Sequence, residues 1–246
     1  MNEEIIHMED LPIKSLKVFA RKNIFRLFAL KLLEVIRIKK IVCYALRLSL
    51  RFPPYEKKLQ NQMLKGPDII RNQAIALAIN RIKKEKIPGA FAEAGVFRGE
   101  FSKIIHLLAP DRVLYLFDTL KGFPKQSMKQ YDSRYNSTSP EIVIQTMGDN
   151  KNIIIKKGLI PGTFKGLENE RFAFVMIDLD IYSPTIASLE FFYQRMNKGG
   201  YIFIHDYNNH EWKGVAKAVD NFMQKIGTNQ LIELPDAMGS VVLRKV

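Results

Sequence analysis

Cysteine is almost absent from this chain of 246 residues, which contains only Cys43. A disulfide framework within one chain is therefore excluded, and so are motifs that need a C-x-x-C pair. Cys43 lies between Val42 and Tyr44, which indicates a packed apolar residue rather than a nucleophile. A single cysteine suits a reducing compartment, and we expect a cytoplasmic protein.

Long hydrophobic runs are also missing. No stretch of about 18 uncharged apolar residues occurs, so the sequence predicts no transmembrane helix. The start, Met-Asn-Glu-Glu, is acidic and no small-residue cleavage site follows a hydrophobic stretch, so we expect no signal peptide. Neither a P-loop nor a G-x-G-x-x-G sequence is present.

Basic residues are plentiful, but they are concentrated near the start of the chain. Residues 14–51 hold eleven basic residues and one acid, so ten of the thirteen net positive charges lie there. Bulky apolar residues recur between them at a spacing typical of one or two amphipathic helices, which Pro53 and Pro54 would end. We therefore predict a basic amphipathic helical extension over 1–52 and a catalytic domain over 53–246.

The basic extension allows two interpretations. Its apolar stripe packs on the following domain or on a partner subunit, or it lies on an anionic membrane at the inner face. The remainder of the chain is nearly neutral, and we expect no nucleic-acid binding by the core. The sequence leaves homo-oligomerisation open.

Strand and helix patterns alternate after a helix predicted over 67–87. This alternation predicts an α/β fold, a doubly wound and mostly parallel sheet with helices on both faces. The last two strands read as a hairpin that adds an antiparallel strand. The seven predicted strands are Ala90–Val96, Val113–Asp118, Ile153–Lys157, Phe172–Asp178, Tyr201–His205, Leu231–Leu234 and Ser240–Arg244. The helices predicted between them are Gly99–Leu108, Pro140–Met147, Ser183–Met196 and Trp212–Ile226.

Acids follow two of these strands, whose apolar runs are typical of strands buried on both faces. Ligands bind beyond the carboxyl ends of such strands, so we expect Asp178, Asp180, His205 and Asp206 to share one rim. Asp180 and Asp206 are the best candidates for holding a hard cation such as Mg²⁺. Asp178 would hold either the loop or a cofactor. His205 has three interpretations: metal ligand, general base or hydrogen-bonded rim residue.

The first predicted strand ends in Glu93-Ala-Gly95, a glycine turn before a helix. Gly95 would let the backbone approach a ligand, and Glu93 could accept a hydrogen bond from an ammonium or hydroxyl group. Asp118, 23 residues after Gly95, ends the second strand, where nucleotide-binding folds hold ribose hydroxyls. An ordinary tight turn and a capping acid are the alternatives. His210 lies in the loop after the rim, where it would contact substrate.

Five segments in order resemble the macrocin O-methyltransferase family of sugar methyltransferases, over about residues 88–246. Each segment coincides with the end of a predicted strand or with a predicted helix. The segments are Glu93-Ala-Gly95-Val-Phe-Arg98-Gly99, Asp118-Thr-Leu-Lys-Gly122-Phe-Pro124, Asp178-Leu-Asp180-Ile-Tyr182-Ser-Pro-Thr185, Gly199-Gly200 with His205-Asp206-Tyr207, and Gly214–Phe222.

The resemblance implies a Rossmann-like class I methyltransferase fold and the cofactor S-adenosylmethionine, with a divalent metal, magnesium being the expected ion. The cofactor-binding residues would be Glu93, Gly95, Asp118 and Asp178. The metal ligands would be Asp180, His205 and Asp206, of which Asp180 and His205 would also be catalytic. The contacts to the acceptor would be Tyr182 and His210. His205 stands where the family has aspartate, and Leu179 where it has glycine.

The function that follows is methyl transfer to a sugar hydroxyl of a glycan or an activated sugar. Methylation of a non-sugar, catechol-like small molecule is an alternative that the same site would serve. A non-catalytic scaffold in glycan assembly is a second alternative, which the departure at His205 favours.

Overall fold

A computed structural model describes residues 59, 63, 68–122, 133–148, 151–227 and 230–246. The basic extension predicted over 1–52 lies outside the described residues, as does its predicted membrane contact through 14–51. In the part that is described, no helix has both the length and the apolar character needed to cross a bilayer.

Seven strands form one sheet within the described residues. They are β1 (Ala90–Ala94), β2 (Leu114–Asp118), β3 (Ile153–Lys157), β4 (Phe172–Ile177), β5 (Met196–Ile204), β6 (Leu231–Glu233) and β7 (Val241–Arg244). Their order is β3-β2-β1-β4-β5-β7-β6. β1 to β5 pair in parallel, whereas β7 is antiparallel to both β5 and β6. The predicted parallel sheet with a closing hairpin is confirmed.

Helices cover both faces of this sheet. They are α1 (Ile69–Lys84), α2 (Glu100–Leu108), α3 (Pro140–Met147), α4 (Tyr182–Arg195) and α5 (Lys213–Ile226), with 3₁₀ turns at Ser133–Asn136 and Gly162–Phe164. α1, α2 and α3 pack in one buried cluster with Phe91 and Phe174. α4 and α5 pack in a second with Ala92 and Val175. Neighbouring strand residues face opposite clusters, as the pleat requires, so both faces are buried.

One strand begins earlier than its pattern predicts. β5 starts at Met196, directly after α4, rather than at Tyr201. The Gly199-Gly200 pair lies within the strand. A Cβ at Gly200 would lie 2.7 Å from the carbonyl oxygen of Ala173, so glycine allows this close approach of β4 and β5.

The direction of winding reverses between β1 and β4. The chain moves outward from β1 through β2 to β3, returns to β4 on the other side of β1, and moves outward again. In open α/β sheets, ligands bind outside the carboxyl ends of the strands at this reversal. Glu93, Asp178 and His205 lie at the ends of β1, β4 and β5, so the fold brings them to this edge.

Candidate active site

A cavity of about 850 Å³ lies at this edge of the sheet. Its volume falls in the range of cofactor and substrate sites. The predicted site residues that line it are Glu93, Gly95, Asp118, Asp178, Asp180, Tyr182, His205 and Asp206. His210, the remaining predicted residue, is exposed and outside the lining, although its neighbours Asn209, Glu211 and Trp212 belong to it.

Gly95 holds the ends of β1 and β4 close together. Its φ is +91°, and a Cβ at this position would lie 1.8 Å from the carbonyl oxygen of Asp178. The N–H of Asp178 donates to the carbonyl of Ala94 at 2.8 Å, and that of Gly95 to Phe117 at 2.9 Å. A side chain at position 95 would thus collide with the backbone of Asp178, directly after β4. This contact alone requires glycine.

Asp118 fixes the loops on either side of the cavity. Its Oδ2 accepts the backbone N–H groups of Val96 and Phe97, at 2.7 and 2.9 Å, and its Oδ1 accepts that of Leu120 at 2.7 Å. This is the capping role, the alternative to ribose binding. Each carboxylate oxygen has two lone pairs, so Oδ2 is fully used, and only Oδ1, which the Thr119 hydroxyl approaches to 3.5 Å, keeps acceptor capacity toward the cavity.

Glu93 is a buried acid, with 2% of its surface exposed. Burial raises its pKa to about 8, an effect that the Ser102 hydroxyl opposes by donating to Oε2 and that the charges of Asp178 and Asp118 reinforce. Burial also raises the pKa of Asp178 to about 6, although the Arg71 guanidinium opposes this rise. Two carboxyl groups with raised pKa values in one cavity favour a cationic ligand, which would stabilise their ionised forms.

Among the residues that the structure describes, Asp178, His205 and Asp206 form a group whose ligand atoms all lie within 4.8 Å of one another. His205 Nδ1 is 3.1 Å from the Ser240 hydroxyl, which leaves Nε2 on the side of Asp206, 3.6 Å from Oδ1. Burial, with a contribution from the Arg71 charge, lowers the pKa of His205 to about 4. Neutral imidazole is the form that binds metals, so these donors fit a divalent ion.

Asp180 lies in the same cavity but outside this group. It is buried and has a φ of +62°, so the chain turns sharply three residues after β4 ends. We predict Asp180 as the metal ligand beside His205 and Asp206, and Asp178 as a cofactor contact. In the structure it is Asp178 that groups with His205 and Asp206. Asp206 also has a positive φ, +61°, and its Oδ1 accepts from Asn209 Nδ2 at 2.7 Å. Such backbone conformations in residues other than glycine are concentrated at functional sites.

Arg71 is a cavity residue that we did not predict. It lies on α1, is 5% exposed, and places Nη1 3.4 Å from Asp178 Oδ2. The sequence does contain a signal for it. Arg71 precedes Ile75 and Ile79 at intervals of four residues, so the helical period puts a charged side chain on the buried face of α1. A buried arginine needs an anionic partner, which makes such a position a candidate site residue.

The sheet order, the helices on both faces and the cavity at the winding reversal define a Rossmann-like fold, which solved methyltransferase structures share. Residues 68–245 match the macrocin-O-methyltransferase (TylF) family. The chain belongs to this family.

Three known proteins illustrate the relationship. The chain is 26% identical over 145 residues to mycinamicin III 3''-O-methyltransferase of Micromonospora griseorubida, a match covering 50% of this chain and 57% of that enzyme. The match thus spans little more than half of the relative. The fold is similar to the O-methyltransferase NovP, with a TM-score of 0.62, 20% identity and coverage of 78% and 89%. It is also similar to CalS11, a TDP-rhamnose 3'-O-methyltransferase of calicheamicin biosynthesis, with a TM-score of 0.51, 19% identity and coverage of 78% and 97%.

Proposed function

We propose that this enzyme transfers a methyl group from S-adenosylmethionine to a sugar hydroxyl of a glycan or an activated sugar. The observation that carries the proposal is the acidic cavity at the winding reversal. A sulfonium donor with an ammonium group supplies the positive charge that Glu93 and Asp178 favour. The family supports the sugar acceptor, and so does the similarity of the fold to CalS11, which is a TDP-rhamnose methyltransferase.

Four residues would hold the donor in this proposal: Glu93, Gly95, Asp118 and Asp178. When bound, S-adenosylmethionine supplies the electrophilic methyl carbon. Glu93 and Asp178 would balance its positive charge, and Asp118 would accept from one ribose hydroxyl with the lone pair of Oδ1 that no backbone N–H group occupies. The close packing of Gly95 against Asp178 keeps these groups in fixed relative positions, which lowers the ordering cost of binding.

The acceptor would bind on the side of the cavity formed by β5 and the start of α4. Asp180 would accept the proton of the attacking hydroxyl, because it is a buried carboxylate in the cavity that lies outside the clustered ligand group. A divalent metal would be held by Asp178, His205 and Asp206, and would lower the pKa of a bound hydroxyl. The ring of Tyr182, whose hydroxyl accepts from Asn221 Nδ2 at 3.0 Å, would offer an aromatic surface to the sugar.

The first test is calorimetric titration with S-adenosylhomocysteine, with and without Mg²⁺. We expect a dissociation constant on the order of micromolar, followed by methylation of one member of a panel of free, nucleotide-linked and lipid-linked sugars. Absence of binding under both conditions would overturn the proposed donor. Binding of the donor with methylation of a catechol but of no sugar would overturn the proposed acceptor.

Donor binding should depend on pH through Glu93. Its pKa is about 8 in the free enzyme, and an adjacent ammonium group would lower that pKa in the complex. Binding therefore releases a proton, and we expect the affinity for S-adenosylhomocysteine to fall by up to about tenfold per pH unit as pH is lowered from 8 to 6. Titrations in two buffers of different ionisation enthalpy measure the released proton.

Glu93→Gln is the matched control for this pH dependence. The amide keeps the size of the side chain and an acceptor for the Ser102 hydroxyl, but it does not titrate. We expect weaker binding at pH 8 and a much flatter pH profile. A profile equally steep in Glu93→Gln would assign the proton to another group.

A further inference from the structure

Arg71 is a positive charge placed among acids on the wall of the cavity. Its side chain lies close to the carboxylates of Asp178 and Asp68, and its charge also acts on Glu93 and His205. Phe101 packs against the guanidinium at 4.0 Å from the ring centroid, which fixes the guanidinium plane. The proposed methyl transfer assigns no role to this residue.

The hydrogen-bonding capacity of Arg71 is only partly used. A guanidinium has five N–H donors, yet the contact to Asp178 Oδ2 is long, at 3.4 Å, and the buried Nε has no acceptor. Asp68 lies nearby, but its Oδ2 is 3.9 Å from Nε and accepts the N–H of Ala237 at 2.9 Å. Its Oδ1 accepts the backbone N–H of Arg71, as the cap of α1. A buried cation with unused donors is costly unless an anion completes it.

We propose that Arg71 binds the carboxylate of the amino-acid end of S-adenosylmethionine, an inference that rests on the proposed donor. An α-amino acid carries an ammonium and a carboxylate on the same carbon, and the cavity carries matching charges side by side. Glu93 and Asp178 are complementary to the ammonium, and Arg71 is complementary to the carboxylate. A guanidinium can bind a carboxylate through two parallel hydrogen bonds, which is the strongest form of this contact.

Because its surroundings are acidic, Arg71 determines whether the cavity can bind the carboxylate of the donor. Without a cation at position 71, the carboxylate of the ligand would face Asp178 and Glu93 and be repelled by them. Arg71 thus explains how a cavity with several acids can accept a zwitterion instead of only a cation. A residue with a purely structural role, as the partner of Asp178, would affect every ligand of the cavity equally, which separates the two roles experimentally.

The test compares S-adenosylhomocysteine with its decarboxylated analogue, which keeps the ammonium group and lacks the carboxylate. The wild-type enzyme should prefer S-adenosylhomocysteine by about 10- to 150-fold, the range of a charged hydrogen-bonded contact. Arg71→Met should abolish this preference by weakening S-adenosylhomocysteine alone. Arg71→Lys should keep part of it, because lysine retains the charge and loses the planar fork. Thermal unfolding of each variant reports its folding.

Arg98→Met is the matched control, because it removes the same charge from another part of the cavity wall. Arg98 donates from Nε and Nη2 to the carbonyl and hydroxyl of Ser137, and we expect this variant to keep the preference. Equal wild-type affinity for the two ligands would overturn the inference, even if Arg71→Met did not fold. Equal weakening of both ligands in Arg71→Met would show a structural role and also overturn it. Binding of neither ligand by the wild type would instead overturn the proposed donor.

Discussion

Asp180→Asn should lower the turnover number for methyl transfer by about 10²- to 10⁴-fold, the usual contribution of a general base. The amide cannot accept the proton of the attacking hydroxyl. Asparagine tolerates the left-handed backbone conformation about as well as aspartate, so the φ of +62° gives no reason for misfolding. The measurement is the single-turnover rate on the sugar acceptor found by screening.

Donor binding should survive this substitution, which makes the result specific. Asp180 does not belong to the group formed by Asp178, His205 and Asp206, so we expect the affinity for S-adenosylhomocysteine to stay within about twofold. Asp220→Asn is a matched control. Asp220 lies outside the cavity and accepts a hydrogen bond from the Tyr207 hydroxyl at 2.7 Å, and removing its charge should leave turnover unchanged. Undiminished turnover in Asp180→Asn would exclude it as the base. An Asp180→Asn variant that retains the full cellular phenotype would instead favour the scaffold alternative.

Gly95→Ala should prevent folding or reduce the free energy of unfolding by more than about 4 kcal/mol. The new Cβ would lie 1.8 Å from the carbonyl oxygen of Asp178, and neither backbone can move without breaking the hydrogen bonds between β1 and β4. The φ of +91° adds strain that glycine does not have. Chemical denaturation, or recovery in the soluble fraction, measures the effect.

Gly227→Ala is the control that separates the steric clash of a new Cβ from the strain of a positive φ. Gly227 has a φ of +67° at the end of α5, and a Cβ there would meet no atom within 4 Å. This control should cost about 1 kcal/mol, the usual penalty for a left-handed alanine. If Gly95→Ala were no less stable than Gly227→Ala, the close contact between the two strand ends would have no energetic importance.

The strands that build the site could be predicted because burial on both faces leaves continuous apolar runs. β3 and α3 have the bounds that their patterns predict, and β1, β2 and β4 differ by two residues or fewer. The convergence of Asp178, His205 and Asp206 was predictable for the same reason, since parallel strands end at one edge. The predicted start of β5 is five residues too late, because the continuous apolar run begins only at Tyr201 and the residues directly before it are polar or glycine.

The roles of individual side chains were harder to predict, because they depend on backbone turns after the strands. Asp180 has a positive φ and lies outside the group that Asp178 forms with His205, and no hydrophobic period reports such an angle. The carboxylate of Asp118 accepts hydrogen bonds from the N–H groups of Val96, after β1, and of Leu120, after β2. The position of Asp118 at the end of a strand does not by itself reveal these partners. Arg71 belongs to a helix before the first motif, so a search confined to strand ends does not include it.

The three N–H groups held by Asp118 have a consequence for the timing of order in this enzyme. The backbone directly after β1 and β2, at Val96, Phe97 and Leu120, is held by a side chain of the protein, so it needs no ligand to take up its shape. The entropy cost of fixing these three residues is incurred once, when the chain folds, and not again each time a ligand binds. This side of the cavity is therefore preorganised. The entropy lost when a donor molecule binds there is mainly that of the donor itself.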